Sequence, residues 1–277
     1  MTTTWQCAAS LTPEERLEVL NLLNRTEAYL NREAIDDGRR RSVVHGWPAE
    51  HFLSYRDGVL SGYAHLSGFE RATIEMSGGG FDARLLEAVL DHHDQVDWWT
   101  RDMLSVEGGT VIRTLQFLRV ELPVPVTEVP PGATLRIFEP QRDEDAWLEQ
   151  NNAAFADHPE QGAWLHHDLA ERTQEPWFDP SGFLLLEIDG RLAASCWTRI
   201  HELHPDRFGE IYVVSVHPDF LGRSLGRVMV SQGLAVLRQK GVSTAVLFVD
   251  ESNAGARKLY ESLGFRLDRE DNLVRFC

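Results

Sequence analysis

The chain has 277 residues, 43% of them hydrophobic and 25% charged, a globular composition with apolar mass for one large domain or two of roughly 100 to 150 residues; it excludes a disordered chain. With 43 acids against 27 bases the formal charge is −16, so the average surface repels nucleic acid, while a small anion in a local basic pocket stays allowed. Cys7, Cys196 and Cys277 lie far apart without C-x-x-C spacing, and no stretch of about 18 apolar residues or basic-then-apolar leader occurs; the expectations are no disulfide framework, no metal site, no membrane partner and a cytoplasmic location.

The first element in chain order is a helix in "TPEERLEVLNLLNRTEAYL", with Thr12 as N-cap, Pro13 in the first turn and Leu17, Leu20 and Leu23 at helical spacing. Asp57-Gly58 predicts a hairpin inside "HFLSYRDGVLSGYAHLSG", and "RATIEMS" a third strand. A helix in "FDARLLEAVLDHH", a strand in "VDWWT", a short helix near Val111 and a strand in "LQFLRVELP" complete the first half.

From residue 135 the order recurs. Strand "LRIFEP", helix "DEDAWLEQNNAAFA", strand "GFLLLEI", a turn at Asp189-Gly190, strands "RLAASCWTRI" and "EIYVVSV" and helix "SLGRVMVSQGLAVLRQKG" follow one another, then strand "TAVLFVD", helix "NAGARKLYESLG" and a last strand near "NLVRFC". The two Asp-Gly hairpins begin 132 positions apart, Asp57 to Asp189. The matched order predicts a duplication: one domain over 1–122, a Pro-rich linker "PVPVTEVPPGA" over 123–133 and a second domain over 134–277, all of mixed α/β class.

"VSVHPDFLGRSLGRVMV" runs from an apolar strand through a glycine-bearing turn into an amphipathic helix. Free N–H groups and the dipole at a helix start suit a pyrophosphate, and an ordinary strand-to-helix connection is the plain alternative. The adjacent pairs His92-His93 and His166-His167 lack the three- or four-residue spacing of helical metal ligands and read as solvated helix histidines. "VDWWT" reads as core aromatic.

With these elements in order, the second half resembles the GNAT acetyltransferases, in which the acetyl-CoA pyrophosphate lies on the turn after the fourth strand. Against the usual pattern, Leu221 and Ser224 replace a basic or amide residue and the first glycine, while Gly226 is kept; Gly222, Arg223 and Arg227 bring flexibility and charge, and Leu225 opens the helix. The stretch "ESNAGARKLYESLGF" matches a second GNAT feature, in which the asparagine and the helix after it contact the pantetheine arm and a tyrosine sits near the thioester sulfur. The resemblance thus implies cofactor contacts at Val214, Ser215, Val216, Leu221 to Arg227, Asn253, Ala254, Gly255, Ala256, Arg257 and Lys258. Asn253 equally suits a plain N-cap and Tyr260 a half-buried core position.

More narrowly, the tandem layout with "NNAAFADHPEQGAW", "CWTRIH" and "GEIYVVSVHP" is similar to the mycothiol synthase family. That resemblance implies acetyl transfer from acetyl-CoA to the cysteinyl amine of desacetylmycothiol, a cysteine–glucosamine–inositol pseudodisaccharide. It implies Glu210 as general base and Tyr260 as proton donor to the departing thiolate, with Val214 to Val216 supplying a backbone N–H for the acetyl oxygen. Acceptor contacts carry over to Glu33, Glu160, Arg199, Glu210 and Phe248, the last where the family often has a tyrosine. No cysteine stands in a nucleophile setting, so direct attack in a ternary complex is expected, from a monomer whose first half is a degenerate copy with Gln116 at the position of Tyr260. Another amine as acceptor, or a CoA-binding sensor without catalysis, remains open.

Overall fold

The structure is a computed structural model that describes residues 3–30, 33–67, 72–78, 83–101, 108–156, 162–202 and 207–277. In the first half, β1 (Thr3–Ala8) precedes α1 (Pro13–Leu30) and α2 (Asp37–His45), then β2 (Glu50–Arg56), β3 (Val59–Ser67), β4 (Ala72–Gly78), α3 (Ala83–Leu90), β5 (Val96–Arg101) and β6 (Thr110–Glu121). The second half has β7 (Ala133–Ile137), α4 (Glu144–Ala154), α5 (His166–Thr173), β8 (Phe183–Ile188), β9 (Arg191–His201), β10 (Phe208–Val216), α6 (Leu225–Gln239), β11 (Thr244–Asp250), α7 (Ala254–Ser262) and β12 (Arg266–Phe276).

Local chemistry sets many of these boundaries. Thr12 Oγ1 accepts from the Glu15 N–H at 3.2 Å while Glu15 Oε2 accepts from the Thr12 N–H at 2.8 Å, a reciprocal cap that starts α1. Asp57 and Gly58 (φ 50° and 80°) and Asp189 and Gly190 (52° and 75°) take the left-handed conformation that a two-residue hairpin turn requires. β1 and α2 were not foreseen; Val111, expected in a short helix, lies in β6, where its β-branched neighbours favour an extended chain. His92 and His93 stand in the turn just past α3, and His93 Nε2 lies 2.7 Å from Glu50 Oε2.

The 12 strands of the described residues form one mixed sheet in the order β1-β2-β3-β4-β5-β12-β6-β11-β10-β9-β8-β7. The last strands of the two halves change places. β12, the end of the chain, pairs with β5 of the first half, and β6 pairs with β11 of the second, so the halves share a seam at the middle of the sheet. Helices cover both faces: α6 and α7 pack on one face of β8 to β11 through Met229, Leu234, Tyr260 and Leu263, whereas α4 and α5 cover the other around Trp147, Trp197 and Phe183. The Pro-rich stretch lies along α6: the Thr127 N–H donates to Ser231 Oγ at 2.9 Å and Gln232 Nε2 donates to the Thr127 carbonyl at 3.0 Å.

Candidate active site

The sheet opens between β10 and β11. These parallel strands are in register only at Gly209↔Ala245 and Glu210↔Val246, although β10 stays paired with β9 as far as Val216↔Ala194. The β9 ladder shifts register between Ile211 and Val213, and such a bulge adds twist and carries a strand away from its neighbour. The edge of β10 through Val214, Ser215 and Val216 is thereby left without a ladder to β11. At the closed end Gly209 lets α6 approach closely, since a Cβ there would sit 2.6 Å from Leu237 Cδ1 and that side chain would have to shift.

The N-terminus of α6 lies at the end of β10. A short 3-10 turn over Pro218–Phe220 leads into Leu221, Gly222 (φ 76°), Arg223 and Ser224 (φ 60°, ψ 16°), with Ser224 at the N-cap and making no side-chain capping bond. Gly226, on the first turn, faces Leu259 of α7 and Val216 of β10. Arg227 donates to Ser262 Oγ, and Arg223 lies over the Phe220 ring, 5.2 Å from its centre. An open strand edge, two left-handed residues and a helix start bearing two arginines fit an anionic, pantetheine-like cofactor at Leu221 to Arg227.

α7 borders the same opening. Asn253 caps it, its Oδ1 accepting from the Ala256 N–H at 3.1 Å, and Arg257 Nη1 donates to the Glu251 carbonyl. Ala254, Gly255 and Lys258 occupy its first turns. Tyr260 is 7% exposed, edge-on to Phe265 in the core beneath β10 and β11, and burial, with Cys196 nearby, pushes its phenol above the ordinary value, so it stays protonated. Gln116, by contrast, lies in strand β6, where it donates to Glu270 Oε1 at 2.9 Å; it is not the helical counterpart of Tyr260.

On the opposite face of the sheet a cluster of charged side chains draws on both halves of the chain. Glu210 of β10 stands across from Arg199 of β9, and His201, two residues along β9, places Nε2 2.6 Å from Glu210 Oε2. From the first half, Glu33 comes within 3.8 Å of Arg199 Nη1 and 3.9 Å of His201 Nδ1, and Asp37 Oδ1 lies 3.5 Å from Arg199 Nη2. Arg199 stacks 4.7 Å over the Trp177 ring, which packs at 5.1 Å on Tyr212, and the His201 ring stacks on Phe208. A second bridge between the halves brings Arg41 Nε within 3.7 Å of Glu175.

The two central carboxyls are tuned apart. Burial alone would raise Glu210, but the His201 bond, with the charges of His201, Arg199 and Arg269, brings it net below the ordinary glutamate value. Burial raises Glu33 above that value; Arg199 and His201 oppose the shift, while Glu210 and Asp37 add to it. Arg269 of β12 sits 3.7 Å over the Phe117 ring and 5.7 Å from that of Phe248, so the exchanged strand supplies a cation whose charge acts on Glu210. Phe248 is 39% exposed, apolar surface left open beside that charge.

Thus Glu33, Arg199 and Glu210, expected together as acceptor contacts, meet in one place, and Phe248 joins them through Arg269. Glu160 lies outside the described residues. His201, Asp37, Trp177, Tyr212 and Arg269 were not foreseen; the alternation of Arg199 and His201 on one strand face was the available signal for the first of them. Among the described residues, no group of three or more His, Cys, Asp or Glu side chains could hold a metal ion, and no helix is long and apolar enough to cross a membrane.

Residues 145–265 match the model of the Acetyltransferase (GNAT) family. A mycothiol acetyltransferase of Thermomonospora curvata is 45% identical over 248 residues, 82% of this chain and 80% of its own length. One from Thermobispora bispora is 40% identical over 92% of this chain and 93% of its own. Among solved structures, a tandem GNAT protein from the clavulanic acid biosynthesis pathway superposes with a TM-score of 0.70 at 16% identity, covering 99% of this chain and 98% of that one, a likeness of fold.

Proposed function

This chain belongs to the mycothiol acetyltransferase family, a branch of the GNAT acetyltransferases, and we propose that it acetylates the cysteinyl amine of desacetylmycothiol at the cluster on β9 and β10. The observation that carries this reading is the opening between β10 and β11, which begins at Glu210 and ends at the N-terminus of α6. One end suits a pyrophosphate, the other a polar cation. Glu33, Asp37 and Glu210 supply carboxylates for an amine and for sugar hydroxyls, Arg199 and Trp177 a flat cationic wall.

Acetyl-CoA supplies the acetyl group as an activated thioester, held by Val214 to Val216, Leu221 to Arg227 and Asn253 to Lys258. Glu210 takes the acceptor's ammonium proton. Because an α-amine has a pKa of about 7.7 to 8.0, a modest base is enough, and the larger part of the rate comes from holding both substrates in line. The N–H groups of the β10 edge without a ladder to β11 would stabilise the oxygen where charge develops, and Tyr260, kept protonated by burial, would donate to the departing sulfur. Residues 1–122 act as a domain that walls the acceptor cleft and lends Glu33, and 134–277 as the catalytic domain, in line with cofactor-type features gathered on the second half.

The test is an assay of the purified protein with acetyl-CoA and desacetylmycothiol beside simple amines and peptides, with products followed by mass spectrometry. Acetylation confined to the pseudodisaccharide is the expected result. Turnover only with another amine would remove the acceptor from the proposal and leave the cofactor site standing.

A further inference from the structure

His201 is 8% exposed and is flanked by two carboxylates, Glu210 Oε2 at 2.6 Å from Nε2 and Glu33 Oε1 at 3.9 Å from Nδ1. A contact of 2.6 Å between a ring nitrogen and a carboxylate oxygen requires a proton between them. Held on Nε2, that proton is donated to Oε2, and Oε1 is the carboxylate oxygen that this bond does not engage. The ring has little freedom to do otherwise, because it lies flat on Phe208, with ring centres 4.6 Å apart and planes 12° apart.

The surroundings make this bond matter. Glu210 is buried, and burial favours the neutral acid, which cannot take a proton from an amine. The groups that face the pair are Glu33 from the segment before α2, Arg199 from β9, Tyr212 from β10 and Arg269 from β12. Of these, Arg199 is shared with Glu33 and Asp37, and Arg269 lies over Phe117. His201 Nε2 lies 2.6 Å from Glu210 Oε2, in direct hydrogen-bond contact with the carboxylate.

We propose that His201 is a positioning residue of acetyl transfer: its Nε2–H fixes Glu210 as an oriented carboxylate with Oε1 toward the acceptor. This inference rests on the role given to Glu210 above. Protons balance, since the acceptor ammonium loses one to Oε1 and the Nε2 proton stays where it was.

Two substitutions separate the hydrogen bond from the bulk of the ring. His201→Leu removes the donor; His201→Gln keeps an N–H at similar reach. The pH profile of kcat/KM is measured for both, and Glu210 is titrated in the free protein by carbon-13 NMR of its carboxyl, assigned with Glu210→Gln. In His201→Leu the acid limb and the carboxyl titration are expected to move up together by about one pH unit or more, with kcat down roughly tenfold and KM for acetyl-CoA unchanged. His201→Gln should stay within about half a unit of the parent. An unmoved carboxyl titration in His201→Leu would overturn the proposal. If that variant does not fold, His201→Gln decides it: a titration raised as far as in an unpaired buried glutamate shows that the N–H does not hold Glu210. An NMR shift as expected in a protein that never acetylates desacetylmycothiol would leave His201's bond established and refute the acceptor reading instead.

Discussion

The two halves of the sheet repeat much of one order of elements and differ where their central parallel strands pair and in the connection that follows. In the first half the parallel strands β4 and β5 are in register at four successive positions, Ala72↔Val96 to Glu75↔Trp99. In the second, β10 and β11 hold together at two, Gly209↔Ala245 and Glu210↔Val246, and then part. The connections after them differ as well: eight residues join β5 to β6, whereas 15 join β11 to β12 and include α7 with Tyr260. A parallel pair zipped by hydrogen bonds has no polar edge to offer, while one parted by a bulge presents N–H groups in a cleft. The same topology is therefore closed at this joint in one half and parted in the other, which is the contrast the proposed function rests on.

The most severe way to break this asymmetry is to disarm the open joint. Glu210→Gln keeps the size and one acceptor atom at the closed end of the cleft, and kcat for acetyl transfer is expected to fall by about 10²- to 10³-fold while acetyl-CoA still binds. Steady-state kinetics beside calorimetric binding of acetyl-CoA measures both; near-parental kcat would remove Glu210 from the chemistry. Tyr260→Phe should cost less, roughly 10- to 100-fold in kcat with little change in KM, because in the proposed reaction the phenol acts only on the departing sulfur.

The next pair of substitutions sharpens the contrast itself. Arg227 on the first turn of α6 and Arg84 on that of α3 occupy like places in the two halves. Arg227→Ala should raise KM for acetyl-CoA by about three- to tenfold, a loss of roughly 1 kcal/mol of charge-assisted contact, and Arg84→Ala should leave it alone. Calorimetry should find one acetyl-CoA per chain. Two equivalent sites, or equal effects of the two arginines, would mean that the first half also binds the cofactor.

Much of the fold was legible because its signals are local. Asp57-Gly58 and Asp189-Gly190 state their hairpins in two residues each, and Thr12 with Glu15 states the start of α1. The exchange of β6 and β12 was not legible, since each strand has the same alternating pattern whichever half it pairs with. β1 and α2 are polar segments whose order comes from what they pack on; β1 is set by its register with β2, Thr3↔Arg56 to Ala8↔His51. In the site, the turn before α6 and Asn253 were readable as motifs. The meeting of Glu33 with His201 is a tertiary fact that joins segments far apart in sequence, and the resemblance carried Glu33 and Glu210 without the histidine between them.

The smallest predicted effect concerns the residue that departs from the family pattern at the open joint. Ser224 takes φ 60° and ψ 16°, a conformation that a side chain disfavours by about 1 to 2 kcal/mol and that glycine enters freely. Its side chain makes no capping bond at the start of α6, so in the free protein nothing in the cap offsets that cost. Ser224→Gly removes the steric penalty and adds freedom to the unfolded chain worth about 0.4 to 1 kcal/mol, and the two combined should leave the protein more stable by roughly 0 to 1.6 kcal/mol, a rise of up to about 5 °C in Tm. What happens to acetyl-CoA then separates two uses of the serine. If only the backbone N–H at 224 serves the pyrophosphate, KM for acetyl-CoA should stay the same or fall slightly with the relaxed turn; if the hydroxyl reaches a phosphate oxygen, KM should rise by about two- to tenfold as the stability goes up. A rise in KM together with a rise in Tm would show that the serine is held in its left-handed conformation for the sake of the bound cofactor.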